Sequence, residues 1–97
     1  MKREYIAVYI MASKRNGTIY IGVTSNLLGR IYQHKTEVVE GFTKEHGIHM
    51  LVYYEACETM EQAIHREKRL KKYTRKAKLA LIEKMNPDWK DLYESLF

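Results

Sequence analysis

Five side chains of this sequence carry the groups that chemistry at a phosphate needs. A guanidinium can donate two hydrogen bonds to one phosphate, a carboxylate can hold a divalent metal, and an imidazole or a phenol can hold or pass a proton. These residues are Tyr9, Tyr20, Arg30, His34 and Glu67. Because they are far apart in the sequence, a common site requires elements that bring them together.

The two tyrosines lie in a predicted β-hairpin. Apolar side chains alternate with other residues over residues 4–11 and again over residues 18–24, which is the pattern of strands with one face on a core. The dipeptide Asn16-Gly17 between them favours a tight type I′ turn. A four-residue loop over residues 14–17 would instead make Tyr9 and Tyr20 diagonal neighbours about 7–8 Å apart. We favour this longer loop.

The two faces of the hairpin differ in chemistry. We expect the aliphatic face to pack against the core. The tyrosines then lie on the opposite face of the hairpin. On the tyrosine face, the missing side chain of Gly22 would let another group approach the backbone. Packing is the alternative explanation of each tyrosine, because aromatic residues suit strands. The aliphatic face comprises Ile6, Val8, Ile10, Ile19, Ile21 and Val23, and the tyrosine face comprises Tyr5, Tyr9, Met11, Tyr20 and Gly22.

A helix that carries Arg30 and His34 is predicted next. Thr24, Ser25 or Asn26 offers an N-cap for it. Four residues separate the arginine from the histidine, so both lie on one edge of the helix and could donate to a single ligand. A solvated pair on an exposed helix surface is the alternative.

The second predicted helix has a carboxylate on its apolar side. Thr59 and Gln62 form a capping box at its start. Glu67 lies within the apolar stripe, so its carboxylate should point toward the sheet, where it needs a cation, a metal or several donors. A salt bridge to Arg30 or another basic residue is one solution. A metal site is the other, which the tyrosine face favours, and Mg²⁺ suits one carboxylate with water and phosphate oxygens. The stripe comprises Met60, Ala63, Ile64, Leu70 and Tyr73.

Basic residues surround Glu67. Such a run is often only a solvated helix surface. Here acidic residues are nearly absent from the stretch and the formal net charge of the chain is +5, so contact with nucleic-acid phosphates is the better explanation. The run comprises Arg66, Lys68, Arg69, Lys71, Lys72, Arg75, Lys76 and Lys78.

The C-terminal part reads as structural. Thr74 is the expected N-cap of a helix that reaches Met85 and ends at Asn86-Pro87. Asp88 is the expected cap of a last short helical segment, in which Trp89 and later apolar residues serve packing. The residues expected to face inward are Ala77, Leu81, Ile82, Met85, Trp89, Leu92, Tyr93 and Leu96.

Length and composition limit the architecture. The 97 residues predict one domain, with a core over about residues 4–85 and a helical extension over about residues 86–97. A loop over residues 38–47 and a third strand at about residues 49–57 complete an α+β fold, in which helices flank a three-stranded antiparallel or mixed sheet. The single cysteine, Cys57, excludes an internal disulfide and a thiolate zinc cluster. Without a membrane span or a signal peptide, a cytoplasmic protein with no membrane partner is expected.

The ordered set of site residues resembles the GIY-YIG endonuclease superfamily, in particular its small standalone bacterial members, from about Tyr5 to Met85. Tyr20-Ile21-Gly22 matches the second motif literally. The first motif reads Val8-Tyr9-Ile10, where the family label has Gly-Ile-Tyr. The lysine that some members carry after the second motif is absent, and Asn86 is only a distant candidate for the polar residue that often follows the glutamate.

The resemblance implies a GIY-YIG-like fold and hydrolysis of a phosphodiester with one divalent metal, Mg²⁺ or Mn²⁺. Glu67 would hold the metal and Arg30 would bind the scissile phosphate. Tyr9 would orient or deprotonate the attacking water, while Tyr20 and His34 complete the network. DNA is favoured over RNA, with structure-specific cleavage in repair or recombination as one option. The residues expected to contact nucleic acid are Gly22, Arg66, Lys68, Arg69, Lys71, Lys72, Arg75 and Lys76.

Two other functions are compatible with the same sequence. One is a nucleic-acid-binding module that keeps the scaffold but cleaves slowly or not at all, whose affinity would depend on salt and little on a chelator. The other is a protein-interaction adaptor that uses aromatic residues near the C-terminus, whose binding would survive high salt.

Overall fold

A computed structural model describes residues 5–36, 41 and 45–97. Their strands form one antiparallel sheet in the order β2-β1-β3, which confirms the α+β class and decides between the antiparallel and mixed alternatives. Most of the loop predicted over residues 38–47 lies outside the described residues. The elements are β1 (Ile6–Ala12), β2 (Ile19–Thr24), α1 (Leu27–Lys35), β3 (Met50–Cys57), α2 (Met60–Lys71), α3 (Arg75–Met85) and a C-terminal 3₁₀-helix (Leu92–Leu96).

The hairpin of β1 and β2 has the longer of the two predicted loops. Ser13 N donates to Thr18 O at 3.0 Å, and within that pair Gly17 N donates to Lys14 O at 2.9 Å. Asn16 takes a φ of 59° while Gly17 stays out of the positive region, so the type I′ turn at this dipeptide does not form. The resulting register places the tyrosine rings diagonally, as predicted.

Both faces of the sheet are covered. On the aliphatic face, Ile10 and Ile21 pack with Leu70 of α2 and Ile82 of α3. On the tyrosine face, Tyr9 packs with residues of α1, including Leu27 and Ile31. The sequence predicted a core on the aliphatic face alone, and the second core arises because α1 folds back over the tyrosines.

The predicted N-caps of the three α-helices are confirmed. Asn26 Oδ1 accepts from Gly29 N, and the hydroxyls of Thr59 and Thr74 accept from the amides three residues later. The capping box of α2 is shifted by one residue, because Gln62 Oε1 accepts from Glu58 N at 3.2 Å. These caps define where each site-bearing helix begins.

Three predictions in the second half of the chain are wrong. Ile64 is 39% exposed, and Met85, the last residue of α3, is 44% exposed where it lines an open cavity with Tyr53 and Tyr54 of β3. The last helical segment is capped by Asp91 and not by Asp88. The chain turns at Trp89, which has a φ of 54° and fills the core on the aliphatic face, so the segment begins later than its spacing suggested. No helix among the described residues is long and apolar enough to cross a membrane.

Candidate active site

Tyr9, Tyr20 and His34 form an aromatic cluster on the tyrosine face. The Tyr9 hydroxyl lies 3.1 Å from Nε2 of His34, and both residues are buried, at 1% and 3% exposure. The Tyr20 ring centroid lies 6.3 Å from that of Tyr9 and 5.7 Å from that of His34. The structure therefore brings together three of the five predicted residues, from β1, β2 and α1.

Gly22 provides the space for this cluster. It pairs with Tyr9 across the hairpin. A Cβ atom at this position would lie 2.5 Å from the Tyr9 hydroxyl oxygen and 3.0 Å from Cε2 of Tyr20, so a side chain would displace the rings. The glycine of the second motif is thus explained by packing of the tyrosines, a reason that the sequence alone did not supply.

Arg30 lies at the edge of the same cluster. Its Nη1 donates to Oε1 of Gln33 at 3.2 Å. A polar cavity of about 230 Å³ opens beside the guanidinium. Gln33 was not predicted as a site residue, although its position three residues after Arg30 is the signal that could have found it. The cavity is lined by Val23, Thr24, Asn26, Gly29, Arg30 and Gln33.

The protonation states of the Tyr9–His34 pair follow from burial. Burial, reinforced by Tyr20, raises the pKa of Tyr9 to about 12, although Arg30 acts in the opposite direction. Burial also lowers the pKa of His34 below its usual value, and Arg30 adds to this effect. At neutral pH the pair is a phenol and a neutral imidazole, so the Tyr9 hydroxyl can donate to Nε2.

Glu67 is more enclosed than Glu61, the other carboxylate of α2, which is exposed. Its side chain is 16% exposed, and its Oε2 lies 3.4 Å from Nζ of Lys71. The negative charge of Glu67 contributes to the raised pKa of Tyr9, which places the carboxylate within electrostatic range of the cluster. The salt-bridge alternative is therefore realised with Lys71.

A single carboxylate is the donor set available for a metal. Within residues 5–36, 41 and 45–97, no three or more His, Cys, Asp and Glu side chains are grouped closely enough to hold a metal ion together. Glu67 already attracts a lysine ammonium, and that flexible side chain is 55% exposed. One enclosed carboxylate whose present cation can swing away fits Mg²⁺, which keeps several waters and binds substrate oxygens.

The basic residues of α2 divide between two sides of the helix. Arg66 faces β3, where its Nε and Nη2 each donate to a different oxygen of Glu55 at 2.9 Å. This bidentate pair lowers the pKa of Glu55, and the Tyr53 hydroxyl also binds the carboxylate. Arg66 therefore has a structural partner on the side of the sheet away from β2.

Lys71 faces the opposite edge of the sheet, next to β2. It lines a cavity of about 300 Å³ with Tyr20 and with Lys78 of α3. Because β2 is an outer strand of the described sheet, this cavity lies at a sheet edge, where Lys71 of α2 comes near Tyr20 of the aromatic cluster. The remaining lining residues are Ile19 and Ile21.

The other predicted residues differ in their surroundings. Arg75 is used in the fold, since its Nη2 donates to Asn16 O at 2.8 Å and to Gly17 O at 2.7 Å. Asn86 is remote from the cluster, because its buried amide binds Val52 O at 3.1 Å and Lys90 O at 2.8 Å. The exposed basic side chains are Lys68, Arg69, Lys72 and Lys76.

Comparisons with known proteins show what the whole chain is similar to. A family model described as the GIY-YIG catalytic domain matches residues 5–80. A UPF0213 protein of Staphylococcus haemolyticus is 35% identical over 83 residues, which cover 86% of this chain and 98% of that protein. A UPF0213 protein of Clostridium perfringens is 40% identical over 75 residues, which cover 77% and 80%. The solution NMR structure of a UPF0213 protein from Bacillus halodurans superposes with a TM-score of 0.55 at 26% identity, covering 89% of this chain and 90% of that one.

Proposed function

The chain belongs to the GIY-YIG catalytic domain family, which is a family of nucleases, and on this premise we propose that it is an endonuclease that uses a divalent metal to hydrolyse phosphodiester bonds in DNA. The observation that carries the proposal is the buried hydrogen bond between Tyr9 and His34, next to Arg30 and within electrostatic range of Glu67. This arrangement supports a proton pathway beside a cation that could bind phosphate and a carboxylate.

Arg30 binds the phosphate that is cut. Its guanidinium borders the polar cavity at the start of α1, and Gln33 holds one of its nitrogens in place. The remaining N–H groups can donate to two phosphate oxygens at once and stabilise the negative charge that develops as the bond to the leaving oxygen breaks. Such a donor typically contributes about 10²–10³-fold to the rate.

Tyr9 and His34 act on the attacking water. The water oxygen forms the new bond to phosphorus while the bond from phosphorus to the leaving sugar oxygen breaks, and that oxygen takes a proton from solvent. The proton of the water passes to Tyr9, and the hydroxyl proton of Tyr9 passes to Nε2 of His34, which its lowered pKa keeps neutral at physiological pH. In this relay Tyr9 reacts as a phenol, in agreement with its pKa of about 12.

Glu67 is the residue that would hold the metal, either Mg²⁺ or Mn²⁺. A bound ion would supply Lewis-acid stabilisation of the negative charge that develops during cleavage. Lys71 neutralises the carboxylate until then, and its exposed side chain can move to a phosphate in the cavity beside Tyr20. The sequence-predicted role of Arg66 at phosphate is not part of this proposal, because Glu55 engages its guanidinium.

A nucleic-acid-binding module without turnover is the second candidate. The pairing of Glu67 with Lys71 favours it, because a carboxylate with its own ammonium partner needs no metal. In that case the same surface would bind nucleic acid without cutting it.

Cleavage of a panel of labelled nucleic acids decides between the two. The panel contains single-stranded, duplex, nicked, flapped and branched DNA and also RNA, with Mg²⁺, Mn²⁺ or chelator. Glu67→Gln is compared with Glu61→Gln, which removes the same charge from an exposed position of the same helix. Products that need metal and are lost only in Glu67→Gln support the nuclease. Binding without products in any condition supports the module.

A further inference from the structure

The tip of the β1–β2 hairpin and the start of α3 meet in space although about sixty residues separate them in sequence. Arg75 makes the connection by donating to the carbonyls of Asn16 and Gly17. The stem of Lys14 covers the same loop, since a Cβ atom on Gly17 would lie 2.8 Å from Cγ of Lys14. The side chains of Lys14 and Arg75 therefore both lie against this short loop.

The surface formed in this way is strongly basic. It consists of Lys14, Arg15, Asn16, Arg75 and Lys76, which we call the hairpin-tip surface. All five are exposed. A groove of about 520 Å³ runs along it between the loop and α3.

Local carboxylates do not neutralise this charge. Within the described chain, the residues that form ion pairs with carboxylates are Lys35, Arg66 and Lys71, none of which belongs to the hairpin-tip surface. Glu83 also lines the groove, where its Oε2 accepts a hydrogen bond from Nε1 of Trp89 at 3.0 Å, and one carboxylate leaves a positive excess among the four cations. Gathering four cations where the loop meets the start of α3 costs free energy through repulsion, which an anionic partner would offset.

The position of the surface relates it to the candidate active site. Gly17 lies three residues before Tyr20, which corresponds to about 10 Å along an extended strand. The cavity that Tyr20 shares with Lys71 and Lys78 is also lined by Ile19 and Ile21, so it follows β2 from shortly after the loop. A nucleic-acid strand carries a phosphate for about every 3.4 Å of duplex axis, so a backbone bound at the active site would reach the hairpin tip within a few nucleotides.

We propose that the hairpin-tip surface is a second nucleic-acid contact, at which Lys14 and Arg15 bind backbone phosphates on the hairpin side of the bond that is cut. The proposal rests on the proposed function for the identity of the partner. It adds the two hairpin-loop residues Lys14 and Arg15 to the interface, which the sequence had placed at Gly22, on α2 and at the start of α3. The contact is to phosphates, so it adds affinity and orientation without reading base sequence.

The test measures binding of a fluorescein-labelled DNA duplex by anisotropy, over a range of salt concentrations and with chelator present so that no cleavage occurs. The double variant Lys14→Ala/Arg15→Ala is compared with Lys84→Ala/Lys90→Ala. The control pair is also exposed and removes the same net charge, and Lys84 borders a cavity next to β3, away from β2. Circular dichroism verifies that both variants are folded.

Each lost phosphate contact should reduce the slope of log K against log salt by about 0.9, so the hairpin variant should lose about 1.8 and the control none. An unchanged slope in the hairpin variant would overturn the proposal. An equal decrease in both pairs would also overturn it, because the effect would then reflect overall charge. Since the assay needs no cleavage, a protein that binds in this way but never cuts would contradict the nuclease and leave the second contact supported.

Discussion

The hydroxyl of Tyr9 and Nε2 of His34 lie 3.1 Å apart in the interior of the protein, although β1 carries one residue and α1 the other. The tyrosine resists losing its proton and the histidine resists gaining one, because burial disfavours both charged forms. In the proposed mechanism, this pair exchanges protons with the water that attacks the phosphate. This coupling determines how cleavage should respond to pH.

The rate of cleavage should fall at acidic pH and stay constant above neutral pH. His34 has to be neutral to accept the proton, and its pKa is lowered, so the rate should fall only below about pH 6.5. Tyr9 has a pKa of about 12, so its ionisation contributes nothing at neutral pH. Single-turnover rates with Mg²⁺ from about pH 5 to about pH 9.5 measure the profile. A rate that rises tenfold per pH unit through the alkaline range would show instead that phenolate is the base.

Protonation of His34 also affects stability, and this effect has to be separated from the rate. The unfolded chain gains the proton near the ordinary pKa of about 6.5, and the folded protein gains it only at lower pH. The unfolded state thus binds more protons in this interval, and the free energy of unfolding falls as the pH drops below about 6.5. Urea unfolding at neutral and acidic pH should show a smaller loss in His34→Gln than in the natural protein. Rates are then expressed per folded molecule.

Replacement of Arg30 by lysine should reduce turnover much more than binding. A lysine keeps the charge but cannot contact Gln33 and two phosphate oxygens with one planar group. We expect kcat to fall by about 10²–10³-fold. Arg69→Lys, at an exposed position of α2, is the matched control and should keep the natural rate. If both variants cleave at the natural rate, Arg30 does not bind the scissile phosphate.

Gly22→Ala should disrupt the aromatic cluster. The added Cβ atom would lie 2.5 Å from the Tyr9 hydroxyl oxygen, so the ring has to move away from His34. We expect a loss of about 1–3 kcal/mol in the free energy of unfolding, as for other overpacked cores, together with loss of cleavage. Ala12→Val overpacks the aliphatic face of the same sheet and should lose stability but keep its cleavage rate per folded molecule. Equal cleavage rates per folded molecule in the two variants would show that the active site does not depend on Gly22.

The sequence predicted the fold well where local physics decides it. Alternation fixed the faces of the hairpin, and Asn26, Thr59 and Thr74 marked the helix starts through hydrogen bonds that span only three residues. The register of Tyr9 against Gly22 followed from the loop length. These features need no knowledge of distant parts of the chain.

The site was less predictable where long-range packing decides it. Arg66 and Lys71 belong to the same basic run, yet Glu55 on β3 engages the first while the second faces Tyr20. Only the placement of α2 across the sheet separates them. In the same way Gly22 was expected to admit a partner to the backbone, and its neighbour proved to be the Tyr9 ring.

Asp91 shows the same effect at the C-terminus, and it provides the last prediction. Its Oδ1 accepts from the amides of Leu51 and Tyr93, each at 3.1 Å, and its other oxygen pairs with Lys35 at the end of α1. Asp91→Ala would leave the amide of Leu51 in β3 without its acceptor. It would also remove the ion pair that links this part of the chain to Lys35 of α1. We expect a loss of about 1–3 kcal/mol in the free energy of unfolding.

Asp88→Ala is the matched control for Asp91, since Asp88 is exposed and was the cap that the spacing suggested. It should change the free energy of unfolding by less than about 0.5 kcal/mol. Urea unfolding measures both variants, and amide hydrogen exchange at Leu51 should accelerate in Asp91→Ala alone. If the two aspartate variants have the same stability and the same exchange rate at Leu51, the carboxylate of Asp91 does not hold the C-terminal segment against β3 and α1.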